Sequence, residues 1–523
     1  MLEQELKFSV PRASRKSVAA QLASLQPPPR VRLRAMYFDT ADRQLARRHA
    51  AIRLRQEGRR WVQTFKMAGA DALSRIELNH PCPRRELDLT VYTGTPAEAV
   101  LASLTGELQV RYETDVWRRA VSARTRGGTV EIAYDEGVIR AGELELPVCE
   151  LEFELASGRP EALFKLAARW QRQHGLVLDV RSKAERGDGL ANAAARITAV
   201  PLDAQSAVRE KEILRFWAPR AAAEVNLEKR ASPDEALRIV TAECFDQIVR
   251  NATALAAVEV PADTILPNEE LVHQLRVGMR RLRSAWRLFD GAAALPPQPL
   301  QDAVREHFAA FGRVRDRDVI ERGVLPALLE AGMPALPAPP AVSMDAAGLA
   351  CAPGFQGWLL AMLAWNVGVR EPAPAPASAA AGTVPPAVPP IADPVKLAPF
   401  VTARLRKWHK RLTRGGEHFA LLDDERRHAL RKLAKRLRYG LALSQSLYRR
   451  DYVRAYRKKL SALQDILGEV NDLVVARGHY AGLIETHSQS WFALGWIAAR
   501  LDELEAKAED AFRDLGAVRT PWK

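Results

Sequence analysis

Apolar and polar positions alternate with a period of two in short runs over the first 200 residues: Glu3–Phe8, Val31–Asp39, Ala51–Gln56, Trp61–Lys66, Ser74–Leu78, Thr129–Tyr134 and Val148–Leu155. Such alternation predicts strands with one buried face. Turn formers such as Gly127-Gly128 separate the runs, and two stretches with helical spacing, Arg15–Leu25 and Pro160–His174, interrupt them. From about residue 205 the apolar period lengthens to that of a helix, in Pro233–Ala256, Glu269–Phe289, Asp424–Leu447 and Ala455–Ile466. The change of period places a boundary near Val200–Ser206. Pro/Ala-rich stretches at Pro334–Val342 and Glu371–Pro390 break the helical half, and the second reads as an exposed linker.

Residues two apart in a strand share a face. Glu3, Glu5 and Lys7 therefore line one side of the first strand, with Leu6 and Phe8 opposite. Arg53 with Arg55, Thr64 with Lys66, Arg75 with Glu77, and Glu150 with Glu152 and Glu154 repeat the pattern. A solvated face accounts for any one of these strands. Five of them, with carboxylates concentrated on some and guanidinium or ammonium groups on others, predict a sheet curled around a polar lumen. Closure also removes exposed sheet edges. Paired Glu oxygens suit Mg²⁺ or Mn²⁺, and facing Arg and Lys suit phosphate oxygens. Together they would stabilise a transferring phosphoryl group.

The helical half contains an internal repeat. His273, Arg276, Arg280, Arg281 and Arg283 have the mutual spacing of His428, Arg431, Lys435, Arg436 and Arg438, with Lys432 adding a further cation to the second copy. A Gly-x-Val-x-Asp phrase follows each, ending at Asp316 and at Asp472. On a helix, His273, Arg276, Arg280, Arg283 and Arg287 share one face, while Leu275, Met279, Leu282, Trp286 and Phe289 form the opposing apolar stripe. A solvated basic face is the ordinary fate of a charge run, but it does not require a histidine at one register in both copies. Neither histidine has a second His or a Cys at ligand spacing, which disfavours a metal site. Aromatic residues do not interleave with the basic ones, which disfavours single-stranded nucleic acid. A linear phosphate chain needs only charge and a track.

Composition narrows the partners. The net charge is +14 and the two halves, residues 1–200 and 201–523, carry +7 each, so both should attract polyanions. Hydrophobic residues at 47% and charged residues at 27% predict a folded chain rather than a disordered one. No apolar run reaches the length of a membrane helix, and Glu3, Glu5 and Lys7 stand where a signal peptide needs apolar residues. The four cysteines are widely spaced, without a metal or disulfide pattern. A reducing cytoplasm fits, with association to polyphosphate granules as an extension.

The strand half resembles the CYTH superfamily, the triphosphate tunnel metalloenzymes. The resemblance is carried by ExExK at Glu3-Glu5-Lys7, then in order YFDT at Tyr37–Thr40, IRLR at Ile52–Arg55, TFK at Thr64–Lys66, RIE at Arg75–Glu77, AYDEG at Ala133–Gly137, ELEFEL at Glu150–Leu155 and SKAERG at Ser182–Gly187. It implies an eight-stranded antiparallel barrel with flanking helices over residues 1–203. It further implies that Glu3, Glu5, Glu150 and Glu152 hold a divalent metal, Mg²⁺ or Mn²⁺. Lys7, Arg53, Arg55, Lys66, Arg118, Lys183 and Arg186 would bind phosphates, and Glu77 and Asp135 would orient water or a second metal. Glu3, Glu5, Lys7, Lys66, Glu77, Asp135 and Lys183 form the implied catalytic set. Glu154, Arg75 and Arg186 suit barrel salt bridges as well as ligand contacts. Two positions depart from the family pattern. His49-Ala50-Ala51 stands where a Gly usually precedes the IRLR strand, and Asp188 where an aromatic commonly follows the last Arg-Gly.

The helical half resembles the CHAD domain, through HQLRVGMRRLR, HALRKLAKRLRY and their paired Gly-x-Val-x-Asp followers. The resemblance implies two pseudo-symmetric four-helix bundles over residues 208–515, about 208–370 and 391–515, joined through the 371–390 linker and binding long-chain polyphosphate on the basic helices. The whole then reads as a multidomain chain, α+β followed by all-α. Its expected activity is hydrolysis of inorganic triphosphate to pyrophosphate and phosphate. Three rivals use the same features: a nucleoside or thiamine triphosphatase or adenylyl cyclase in the same tunnel, a non-catalytic polyphosphate scaffold, and nucleic-acid binding through the helical half. Four lumen carboxylates argue against the second, because a pure polyanion binder gains nothing from them.

Overall fold

The structure, a computed structural model, describes residues 2–25, 29–69, 73–261, 264–318, 323–334, 345–369 and 395–522, with the side chains of 313–318 also left out of the description. The Glu371–Pro390 stretch and most of Pro334–Val342 fall outside the described residues, as does the side chain of Asp316. The chain divides into two compact units. One comprises Met1–Ala221, Asp246–Leu275 and Ala346–Pro376; the other comprises Ala222–Phe245, Arg276–Asp345 and Ala377–Lys523. The units do not follow the change of hydrophobic period near residue 205, because two later segments group with the strand half.

In the first unit, β1 (Leu2–Ser9), β2 (Val31–Asp39), β3 (Ala50–Glu57), β4 (Arg60–Ala68), β5 (Ser74–Cys82), β6 (Gln109–Thr125), β7 (Gly128–Ala141) and β8 (Leu144–Gly158) form one antiparallel sheet in the order β5-β4-β3-β2-β6-β7-β8-β1. Pairing of Leu2 with Ile76, Glu3 with Arg75 and Gln4 with Ser74 joins β1 to β5 and closes the barrel. A two-residue strand, β9 (Val177–Leu178), adds to the outside of β1. The barrel is the expected eight-stranded one. β6, the longest strand, is an element that the alternation did not reveal.

Leu6, Phe8, Leu151 and Phe153 are buried on the outer face, under the helix Pro160–His174. Phe8 meets Phe153 edge to face at 5.8 Å, and Phe153 meets Trp170 at 6.0 Å. The inner face changes character along its strands. On β8 the inward positions read Leu144, Leu146, Val148 and then Glu150, Glu152, Glu154. The apolar end packs against Leu190, Ala194 and Ile197 of the helix Lys183–Thr198, with Leu33, Val116 and Ile139 in the same cluster. This helix fills one end of the barrel and leaves the charged residues to the other.

The two departures from the family pattern have local explanations. His49 adopts a left-handed backbone at φ 53° and donates its N–H to the Ala46 carbonyl, a conformation that favours Gly. Asp188 receives Arg43, whose Nε lies 3.0 Å from a carboxylate oxygen. Beside it, Gly187 has no room for a side chain: a Cβ there would stand 2.2 Å from the Tyr112 ring.

In the second unit, the helices Leu397–Gly415, Asp424–Ser444, Arg450–Ala481 and Ser490–Ala517 pack in a ring. Leu405, Leu412, Leu437, Leu441, Leu460, Leu467 and Ile497 are buried within it. The basic helix Asn268–Phe289 and its followers, Gln298–Asp318 and Leu325–Glu330, precede this bundle in the chain.

Candidate active site in the barrel and a basic surface on the helices

Strand register brings the inward carboxylates of β7 and β8 side by side. Asp135 pairs with Glu150 across one ladder, and Lys7 of β1 pairs with Glu152 across the next. Asp135, Glu150 and Glu152 offer oxygens that all lie within 4.8 Å of one another, and Asp135 and Glu150 are 0% and 1% exposed. Lys183, in the first turn of the plugging helix, sets its Nζ 2.6 Å from Asp135 and 3.0 Å from Glu152, and also contacts Glu150. Ser182 caps that turn by accepting the N–H of Glu185 at 3.0 Å. Arg118 grips Asp135 through two hydrogen bonds of 2.7 Å and reaches Glu152 as well. Lys7 lies 3.8 Å from both Glu5 and Glu152. Arg186 contacts Glu150 and, on its other side, Glu259.

A second group lies on β1, β3, β4 and β5. Lys66 sits 3.0 Å from Glu3 and contacts Glu77, while Arg53 lies 3.8 Å from Glu77 and donates to the Tyr37 hydroxyl at 3.2 Å. Arg55 pairs with Glu57 at the end of its own strand. Glu154 lies opposite Glu131 and Glu5 in the ladders, and Arg75 donates to the Ser74 carbonyl at 2.9 Å. Of the four carboxylates that the resemblance assigns to a metal, Glu150 and Glu152 fall in the close triad. Its third member is Asp135, while Glu3 stands with Lys66 and Glu77. Tyr37, Glu259 and the pair Asp179–Arg181, whose closest contact is 2.7 Å, were not singled out in the sequence. Their marks in the sequence are slight, since Tyr37 is the first residue of a quoted motif and the others lie outside every strand pattern.

Burial sets the electrostatics. It pushes the Glu3 carboxyl up to about 9, helped by a hydrogen bond with Glu77. Burial alone would raise Glu77 too, but the bond from Glu3 and the charges of Lys66 and Arg53 hold it far below the usual range. The two carboxylates thus share one proton at neutral pH. In the triad, burial raises Glu150, whereas Lys183, Arg118 and Lys7 overcome burial and keep Glu152 ionised. Burial opposes the Lys183 charge, yet Asp135, Glu150 and Glu152 hold the ammonium well above its ordinary range. Burial and the neighbouring Arg53 bring Arg55 down to about 10.

The helices of the second unit carry a surplus of cations. Arg276 lies 4.3 Å above the Phe308 ring and donates to the Phe308 carbonyl at 3.0 Å; Arg280 and Arg283 approach the same ring at 5.2 and 5.6 Å. Burial, then Arg280 and Arg431, pull Lys435 down to about 6. Burial and the charges of Arg305, Arg287, Arg280 and Arg436 lower Arg283. Cations of the two repeats therefore stand close enough to repel one another. His428 faces Asn471 at 3.0 Å, Arg431 lies 3.8 Å from Asp472, and Arg438 lies over its neighbour Tyr439. Lys432 is exposed, Arg436 is part-buried, and His273 lies half-buried on its helix. Arg281 points elsewhere, to Glu243 at 3.2 Å and the Ala223 carbonyl at 3.1 Å.

Two family models match successive parts of the chain. Residues 1–187 match the CYTH domain model and residues 239–481 the CHAD domain model. The chain carries a CYTH domain followed by a CHAD domain. An inorganic triphosphatase from Haemophilus influenzae is 32% identical over 161 residues, 29% of this chain and 44% of that protein, so the match spans less than half of the relative's length. The crystal structure of the CHAD domain from Ricinus communis is similar at 28% identity and a TM-score of 0.45, covering 58% of this chain and 98% of that one. A Pyrococcus horikoshii protein is similar at 19% identity and a TM-score of 0.25, covering 35% of this chain and 96% of that one. Among the described residues, no helix is long and apolar enough to cross a membrane.

Proposed function

We propose that the barrel is a divalent-metal-dependent inorganic triphosphatase and that the basic helices bind long-chain polyphosphate. The observation that carries the first part is the triad Asp135, Glu150 and Glu152 gathered around one cation, the Lys183 ammonium. Three carboxylate oxygens at that spacing are the donors a hard divalent cation takes, so the residues present fit Mg²⁺ or Mn²⁺. When bound, such an ion neutralises charge on phosphate oxygens. Lys183 would bind phosphate together with Lys7, Arg53, Arg55, Lys66 and Arg118. Glu77, held ionised by its hydrogen bond with Glu3 and by Lys66 and Arg53, would accept a hydrogen bond from the attacking water. Water oxygen would bond to the terminal phosphorus as the bridging P–O bond breaks, pyrophosphate leaving with the electron pair and the attacking water giving up a proton to a phosphate oxygen of the products. The name of the Haemophilus influenzae relative supports an inorganic substrate.

The polyphosphate reading rests on Lys435 and Arg283, whose charged forms are disfavoured by burial and by neighbouring cations and would be favoured by a bound anion. The protein is expected to work in the cytoplasm. Phosphate release from triphosphate, ATP and thiamine triphosphate by the full chain, with Mn²⁺ and with chelator, tests the first reading. Release from triphosphate that is undiminished by chelator, or faster release from ATP, would reject it. Retention of long-chain polyphosphate after neutralising Arg276, Arg280, Arg431 and Lys435 together would reject the second.

A further inference from the structure

The buried ion network of the barrel does not end with the residues of the CYTH match. Arg186 and Glu150 are each 1% exposed, and the second partner of Arg186 is Glu259, 3% exposed. Glu259 lies 73 residues further along, within the span of the CHAD match, yet its segment Asp246–Leu275 belongs to the same compact unit as the barrel. Two contacts anchor that segment. Thr253 donates its hydroxyl to the Leu178 carbonyl of β9 at 2.8 Å, and Arg250 pairs with Glu185 in the first turn of the plugging helix. The other Glu259 oxygen lies 3.6 Å from Arg181, which is clamped on Asp179 by bonds of 3.0 and 2.7 Å. Charges therefore alternate along a buried row: Asp179, Arg181, Glu259, Arg186, Glu150, Lys183.

The geometry points to Glu259 as a positioning residue of the metal site: by holding one side of the Arg186 guanidinium, it leaves Glu150 free to share a cation with Asp135 and Glu152. This rests on the metal site proposed above. The reasoning is one of charge. A buried guanidinium needs its charge matched. Without Glu259, Arg181 and Arg186 face each other with only Asp179 and Glu150 to neutralise them. Arg186 then turns its whole fork to Glu150, and bidentate pairing uses both carboxylate oxygens. Glu150 is withdrawn from the triad.

Groups behind metal ligands commonly change metal affinity by about 10- to 100-fold. Glu259→Gln in the full chain is therefore expected to weaken Mn²⁺ binding by about that factor, read directly from the electron paramagnetic resonance of free Mn²⁺. At saturating Mn²⁺ the turnover of triphosphate should largely return. In an Arg186→Met background the same substitution should change Mn²⁺ affinity no further, because the guanidinium through which it acts is gone. A folded Glu259→Gln protein with unchanged Mn²⁺ affinity would overturn the inference, as would an equal loss in the Arg186→Met background. If Glu259→Gln does not fold, Glu259→Asp keeps the charge and shortens its reach, and a smaller shift in the same direction is expected; no shift would again overturn it. Parent protein that binds Mn²⁺ without hydrolysing triphosphate would sink the triphosphatase reading and leave this one standing. Parent protein that binds no Mn²⁺ would sink both.

Discussion

Lys183 holds its ammonium 2.6 Å from Asp135, joining the first turn of the helix that plugs the barrel to the inward face of β7. Both groups are almost fully enclosed, and the same ammonium meets Glu150 and Glu152. A lysine so placed occupies the position that the three carboxylates would otherwise give to a divalent cation. On the proposed function it would compete with the metal in the absence of substrate and bind phosphate in its presence.

That competition has a sign. Lys183→Met should lower triphosphate turnover by about 100- to 1,000-fold, the loss that follows removal of one preorganised donor to developing charge. Yet it should tighten or leave unchanged the binding of Mn²⁺ without substrate. Titration of Mn²⁺ by paramagnetic resonance and a rate assay on one preparation measure both. Weaker Mn²⁺ binding in the variant would contradict the shared position.

Glu3 supplies a pH dependence. Its carboxyl is raised from an ordinary 4.5 to about 9, so the folded state binds a proton that the unfolded state has lost between those values. The stability contributed by this proton is full below about pH 4.5 and disappears as pH rises toward 9. Glu77, shifted downward, contributes stability above its ordinary range that stays constant over the same window. Glu3→Gln fixes the neutral form, and its thermal midpoint should fall less than the parent's between pH 5.5 and 9. Parallel profiles would show that the two carboxylates do not share a proton.

The charged lumen was legible because it rests on parity alone. Glu150, Glu152 and Glu154 must face one way whatever the barrel does, and so must Arg53 and Arg55. β6 was not legible. Its inward residues Tyr112, Thr114, Val116 and Arg118 mix types, while its outward Asp115 is held by Arg32 at 2.9 Å. With polar groups on both faces, no alternation survives. Which carboxylates meet was also hidden, because strand register places Asp135 beside Glu150 and the sequence does not print register. Glu259 is an isolated acid in a helical stretch, and only tertiary packing brings it to Arg186. In the helices the stripe identified Arg276, Arg280 and Arg283, but Arg281, one residue off that stripe, turns to Glu243.

Gly187 links fold to site. An added Cβ would meet the Tyr112 ring at 2.2 Å, and Tyr112 stacks on Tyr37 with ring centres 4.7 Å apart. Tyr37 in turn receives Arg53. Gly187→Ala should cost about 1–3 kcal/mol, as overpacking does, and should also raise KM for triphosphate by displacing Arg53. Denaturant unfolding and steady-state kinetics separate the two effects. A stability loss with KM unchanged would break the link at Tyr37.

Phe153 tests the opposite face. It is fully buried between Phe8 and Trp170, and Phe153→Ala should destabilise the protein by about 3–5 kcal/mol. Since the neighbouring Glu152 and Glu154 point the other way, KM at a temperature where the variant is folded should stay near the parent value. A large KM change at preserved fold would mean that the barrel transmits packing strain to its lumen.

Lys435 offers a test of the basic helices that does not depend on affinity alone. Burial, Arg280 and Arg431 bring its ammonium down to about 6, so near pH 7.5 it is largely uncharged. A polyanion laid against these cations would favour the charged form, and binding should therefore take up a proton from solution. Calorimetry of long-chain polyphosphate binding in buffers of different ionisation enthalpy counts that proton. Uptake approaching one per site is expected at pH 7.5, falling toward zero at pH 5.5, where the lysine is already protonated. Binding should tighten over the same fall in pH. In Lys435→Met the uptake should vanish while Arg276, Arg280 and Arg431 still confer salt-sensitive binding. Binding without proton uptake in the parent protein would place the phosphate chain away from Lys435.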